Sequence, residues 1–183
     1  KMKAGTAWHR VLAWDAPDSS DNEVWKYGDY SFREPDIRNA RHLVGFVGHF
    51  ELTARLPTLF EVNNKYVVVQ GTADLVRGLH VEDHKTKFST PDARDYEQSL
   101  QWRWYLLIFG CNSFTYNLWN MRDPKDGLVE LKDSLSFSFF RYRGMKEHCY
   151  DWLDRFLTWA EASGLTETLC NDKPGDKNAD SPA

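Results

Sequence analysis

The chain has 183 residues, 42% of them hydrophobic and 27% charged, with eight Trp; this suits one compact domain with a real core and excludes disorder for its body. No apolar run approaches the ~18 residues of a membrane span, and Lys1-Met2-Lys3 leads into a helical pattern without an apolar signal-peptide segment, so neither a membrane anchor nor an export signal is expected. A net charge of −4 excludes a protein that coats nucleic acid by bulk electrostatics, though not one with a local basic groove.

Ala7, Val11 and Trp14, with Trp8 and Leu12 on an adjacent stripe, predict a first helix over residues 4–14, followed by a loop over 15–22. Pro35-Asp36 opens a second helix reaching about Val47, with Ile37, Ala40, Val44 and Val47 on one face. Phe50, Leu52, Ala54 and Leu56 then alternate with Glu51, Thr53 and Arg55, predicting a strand that ends at Pro57. Two runs, 66–76 and 79–85, preceded by Asn63-Asn64 and separated by Arg77-Gly78, predict consecutive antiparallel strands joined by tight turns.

Pro91-Asp92 breaks the pattern, and helical periodicity returns over 96–109. Strands over 114–119 and 135–142 flank a loop over 123–127, and a closing helix over 145–162 carries Cys149, Trp152, Leu153, Phe156, Leu157 and Trp159 on its apolar side. Beyond Gly164 the chain turns polar, so a single domain over 1–164 and a disordered acidic, polar tail over 165–183 are expected. The order helix, helix, three strands, helix, two strands, helix predicts an α/β fold, a mixed sheet flanked by helices. Cys111, Cys149 and Cys170 are scattered, which suits a reducing compartment better than a disulfide framework and lacks the spacing of a zinc or iron-sulfur site.

The chemistry centres on Gly71-Thr-Ala-Asp74 and Asp83-His84-Lys85-Thr86. Asp83 and Lys85, at i and i+2 of a strand, project from one face; Glu82 and His84 project from the other, which makes Glu82 the weaker rival to Asp83. If the preceding strand folds back across Arg77-Gly78, the carboxylate of Asp74 converges with that of Asp83. Two hard oxygen ligands suit Mg²⁺ or Mn²⁺, and hydrolysis of a phosphodiester needs such an ion. Lys85 would orient the attacking water or stabilise charge on the phosphate. A plain hairpin with a same-face ion pair fits these three residues equally well.

Two further marks lie outside the hairpin: Gly5-Thr-Ala-Trp-His9 in the first helix, and Gln101-Trp-Arg-Trp-Tyr105 in the later one. Together with the hairpin residues these resemble the four motifs of the RecB-like branch of the PD-(D/E)xK nucleases, in order over about residues 5–105. The resemblance implies a restriction-endonuclease-like core and an Mg²⁺- or Mn²⁺-dependent deoxyribonuclease with one or two ions. His9, Asp74 and Asp83 would be metal ligands and Lys85 the catalytic lysine. Gln101 would hold the lysine or the scissile strand, and Tyr105 would contact the backbone near the cut.

Phosphate contact would fall to Lys87, Arg94, Gln98 and Arg103, with Arg122, Lys125, Arg141, Arg143 and Lys146 further along the chain. Glu51 could reach the site, but its strand pattern points it outward. Relatives with an iron-sulfur cluster carry four cysteines, a set this chain lacks, and no phosphate-binding loop of a helicase motor occurs. The resemblance favours an exonuclease acting on DNA ends in recombination, repair or phage replication. It would work in the cytoplasm of a bacterial or phage-infected cell, an organelle or nucleus also being open, beside a recombination or annealing protein or as an oligomer. A structure-selective or restriction-type endonuclease and a non-catalytic DNA-binding module stay open as alternatives.

Overall fold

A computed structural model of the chain describes residues 2–21, 23–58, 60–62, 65–89, 92–122 and 126–165. Asn63-Asn64, Pro91, Lys125, Cys170 and all of the tail beyond residue 165, each given a role above, lie outside the described residues.

The elements are α1 (Met2–Leu12), β1 (Ser19–Ser20), β2 (Val24–Tyr27), β3 (Tyr30–Arg33), α2 (Glu34–Val44), β4 (His49–Arg55), β5 (Phe60–Val62), β6 (Lys65–Val67), β7 (Gln70–Arg77), β8 (His80–Lys87), α3 (Ala93–Glu97), α4 (Gln101–Ile108), β9 (Ser113–Met121), β10 (Leu128–Val129), β11 (Leu131–Phe140) and α5 (Met145–Ala162). Among the described residues no helix is long and apolar enough to cross a membrane. The strands form a five-stranded mixed sheet in the order β11-β9-β8-β7-β4, a smaller mixed sheet in the order β1-β2-β3-β10, and the hairpin β5-β6. The result is a mixed α/β fold with helices flanking its sheets.

Parallel pairing of β8 with β9 is possible because α3 and α4 carry the chain from one to the other; a tight turn could join them only antiparallel. β9 is buried on both faces: Phe114, Tyr116 and Leu118 pack with Trp102 and Leu106 of α4. Trp119 and Met121 pack with Trp8 and Val11 of α1 and with Ile37 and Ala40 of α2. The smaller sheet adds Tyr27, Phe32 and Val129 to that second cluster.

The predicted helix over 96–109 is two helices. Asp92 caps α3 by accepting from Arg94 N at 2.9 Å, and Ser99 Oγ takes the amide of Gln101 at 3.2 Å, a local side-chain capture that breaks one helix and starts the next. The run 66–76 divides likewise: β6 pairs with β5, and β7 begins at Gln70 against β4.

Several predicted core residues are exposed. Trp14 lies beyond the end of α1, and Val47 beyond Gly45, whose φ of 73° terminates α2. Trp152 and Trp159 look outward from α5, while Cys149, Leu153 and Leu157 face the core. The β2–β3 hairpin and its small sheet were not anticipated from the sequence.

The C-terminal ends of α1 and α2 meet over one guanidinium. Arg41 donates to Val11 O at 2.9 Å and to Asp15 O at 2.8 Å, and lies over the rings of Trp14 and Trp25. A cation there answers the negative ends of two helices. Arg41→Ala is therefore expected to cost about 2 kcal/mol, to be read as a lower denaturant midpoint; an unchanged midpoint would refute this role.

Candidate functional site

Asp74 sits where the large sheet comes apart. The β4–β7 ladder runs through Phe50↔Leu75 and Leu52↔Ala73 but omits the pair between them, Glu51 and Asp74. The β7–β8 ladder stops at Leu75↔Glu82, one step short of Asp74 and Asp83. Side-chain alternation slips at the same point: Phe50 and Leu75 pack on the α1–α2 side, and Leu52 and Ala73 on the α4 side. The single apolar face predicted for Phe50, Leu52 and their neighbours is thus broken at Glu51, which holds a left-handed φ of 50°. Such a conformation is strained for a residue with a side chain and collects at functional sites.

The freed groups find new partners. Asp74 Oδ2 accepts the amide of His84 at 2.5 Å, taking the place of a ladder carbonyl. His9, on α1, approaches Asp74 Oδ1 with Nδ1 at 3.4 Å and the carbonyl oxygen of His84 with Nε2 at 2.7 Å. Gly5 makes that approach possible, since a Cβ there would stand 2.8 Å from Thr86 Oγ1 of β8. Among the described residues, His9, Glu51 and Asp74 bring ligand atoms within 4.8 Å of one another. Two carboxylates, an imidazole and the nearby His84 carbonyl oxygen are a donor set suited to Mg²⁺ or Mn²⁺.

Asp83 and Lys85 share one face, as strand alternation predicts. Lys85 Nζ lies 2.7 Å from Asp83 Oδ2, and Gln101 Nε2 donates to Asp83 Oδ1 at 2.9 Å. Because Ser99 restarts the helix, Gln101 is the first residue of α4 and reaches the strand directly. Glu82 turns to the opposite face, where Arg77 and Asn117 bind it. Asp83 faces Lys85 and Gln101 and lies outside the His9–Glu51–Asp74 cluster, yet close enough to feel the charges of Asp74 and His9.

Burial dominates the electrostatics. It pushes the Asp83 carboxyl up to about 6 against the pull of Lys85, and Asp74 adds to the rise. Burial, then the charge of Asp74, also raises Glu51. For His9, burial acts downward, but the hydrogen bond and charge of Asp74 prevail and hold the imidazole above its ordinary value. Asp74 is held low by His9 and the His84 amide despite its burial. Lys85 is likewise kept high by Asp83 against burial. Asp74 and His9 thus favour their charged forms as a pair, whereas Glu51 and Asp83 are held toward their neutral forms.

Tyr105 donates to the carbonyl of Thr72 at 2.7 Å, and its ring covers Gly71, where a Cβ would lie 2.9 Å from Tyr105 Cε1 and 3.3 Å from Ile108 Cδ1. The Gly71 of the sequence motif is thus the seat of the Tyr105 ring. Gly71→Ala is expected to expel the ring and destabilise the fold by about 1–3 kcal/mol; a melting temperature equal to that of the native chain would disprove it.

No family model matches the chain. Nor does any curated protein. Among solved structures, that of SSO0001 is similar at 13% identity with a TM-score of 0.45, covering 69% of this chain and 56% of the other. The chain thus spans a little over half of that protein, and a likeness at this level carries no functional argument.

A cleft of about 600 Å³ opens over the site, lined by His9, Glu51, His84, Lys85 and, among others, Arg10 and Asp15. The residues expected to contact phosphate stand elsewhere. Arg103 is engaged by the carbonyls of Glu97 and Ser99 and by Tyr142 Oη, where it braces the α3–α4 break. Arg94 pairs with Asp92 at 2.8 Å, and Lys87 Nζ lies over the ring of Tyr96. Gln98 is exposed at the end of α3. Of the downstream cations, Arg122 pairs with Glu130, Arg141 donates to the Leu106 carbonyl, and Lys146 lies over the Tyr150 ring. The sequence reading missed Arg10 as a guanidinium lining the cleft, which no local pattern marks; Glu51, expected to point outward but able to reach the site, is exposed and lines the cleft.

Proposed function

We propose that this chain is a metal-dependent deoxyribonuclease with a PD-(D/E)xK-type core of the RecB-like kind. What carries the reading is the meeting of four separate sequence motifs at one split in the sheet: His9 from α1, Asp74 from β7, Asp83 and Lys85 from β8, and Gln101 from α4. A same-face ion pair alone would not draw in a histidine and a glutamine from two different helices.

His9 and Asp74, with Glu51 and the His84 carbonyl oxygen beside them, would hold the ion, and Asp83 would join them from the next strand. A bound Mg²⁺ or Mn²⁺ supplies a water of lowered pKa and neutralises charge growing on the phosphate. Lys85, partly exposed in the cleft, would direct its ammonium at the attacking water or at a phosphate oxygen. Gln101 fixes Asp83, and through it the position of Lys85. Tyr105, on the same helix, would contact the DNA backbone near the cut.

The substrate would be DNA, cut from an end, in recombination, repair or phage replication; the preference for ends rests on the resemblance alone. End-labelled linear DNA and closed circular DNA, each incubated with Mn²⁺, Mg²⁺ or EDTA, test this. Linear DNA is expected to be degraded with either metal and spared in EDTA, with circles intact. Cutting of circles would replace the exonuclease by an endonuclease, and metal-independent cutting would overturn the mechanism. No cutting of either DNA would leave a binding module as the better reading.

A further inference from the structure

Helix α1 ends in an unusual way. Asp15 N donates to Arg10 O at 3.0 Å and Trp14 N to Val11 O at 3.2 Å, a Schellman arrangement that puts residue 14 in the left-handed region at φ 63°. Glycine is the residue suited to that position, because any Cβ is strained there, and a bulky aromatic is a true outlier. The surroundings hold the strained side chain firmly. Trp14 Nε1 donates to Gly45 O at 2.9 Å, the Arg41 guanidinium lies 4.9 Å from the ring centre, and Phe46 meets the ring in a T-shaped contact at 5.3 Å.

Despite these contacts the pair faces water: Trp14 is 37% exposed and Phe46 71%. Core packing does not account for a strained tryptophan that is braced and still open. Its place does offer an account. The residues on either side of it, Ala13 and Asp15, line the cleft that contains His9 and Glu51, so the aromatic pair is anchored beside the candidate active site, outside the residues that line it.

We propose that Trp14 and Phe46 form a stacking platform for an unpaired base of the strand entering the cleft, so that the substrate is single-stranded DNA or a frayed end. This rests on the reading of the cleft as a DNA-cutting site. An aromatic face binds any base by stacking, without reading sequence, but a base inside a duplex has both faces covered by its neighbours. Rigidity supports the role, because a platform fixed in advance loses little conformational freedom on binding.

Binding of fluorescein-labelled oligothymidylate to the full chain in EDTA, measured by anisotropy against an abasic oligomer of equal length, tests the platform apart from cleavage. The native chain is expected to favour the base-bearing strand by roughly tenfold. Trp14→Gly and Phe46→Ser should each remove most of that preference. Phe46→Ser guards against misfolding, since its ring is largely in water and its melting temperature should match the native one. Equal binding of the two oligomers by the native chain, no binding of either, or a preference that survives in Phe46→Ser would overturn the platform. Failure of the nuclease reading would instead show as absent metal-dependent cleavage, with the base preference left standing.

Discussion

Lys85→Ala is expected to lower Mn²⁺-dependent cleavage of linear DNA by about 10²–10³-fold, the scale on which loss of one donor to a developing oxyanion acts. The ammonium of Lys85 is paired with Asp83 at 2.7 Å and still reaches the cleft, its side chain being 37% exposed. Burial works against its charge, but Asp83, and then Asp74, keep it protonated, so it would act as a fixed positive charge and donor and not as a base. Lys85 is not among the groups that would hold the ion. The rise in melting temperature on adding Mn²⁺ should therefore survive in the variant while turnover is lost. Lys85→Arg should restore little, because a planar guanidinium does not place its donors as an ammonium does. Full activity in Lys85→Ala would remove the lysine from the mechanism.

The second large effect is on stability. Asp83 is buried, and its carboxyl titrates at about 6, against an ordinary value of 3.8. Between these pH values the native state binds more protons than the unfolded chain, so stability falls as pH rises through that window and the whole penalty is present above it. The shift corresponds to about 3 kcal/mol. Asp83→Asn keeps the shape and an oxygen for the Gln101 hydrogen bond while removing the buried charge. In EDTA at pH 8 the variant should melt roughly 5–10 °C above the native chain, and the gap should close near pH 4. It should also lose cleavage and most of its response to Mn²⁺, because a cation stabilises whichever state binds it. A variant that melts below the native chain at pH 8, or a difference constant with pH, would show that Asp83 carries no such penalty.

What could be read from the sequence depended on how regular the local backbone is. Asp83 and Lys85 were legible because β8 keeps strict alternation there, and Gln101 with Tyr105 because i and i+4 share a helix face. The five strands of the large sheet were legible likewise because they are long and periodic; their order was not, since it is set by pairing between strands distant in the chain. Glu51 was legible only in part, for the opposite reason: alternation exposes it, as it is, but only the irregular backbone at φ 50° beside the missing Glu51–Asp74 pair brings it to His9. The break between α3 and α4 was hidden because a serine hydroxyl makes it, without a proline or glycine. β1, β2, β3 and β10 run only two to four residues each, too short for a period to emerge.

The candidate ion site is closed by residues far apart along the chain: His9 touches the His84 carbonyl across 75 positions. No fragment containing the hairpin alone can complete it, and a chain emerging from synthesis has no site until α1 has docked on β8. Contacts of such long range form slowly, after the local ones. Metal uptake during refolding should thus report the arrival of the first helix, with a delay relative to the recovery of secondary structure.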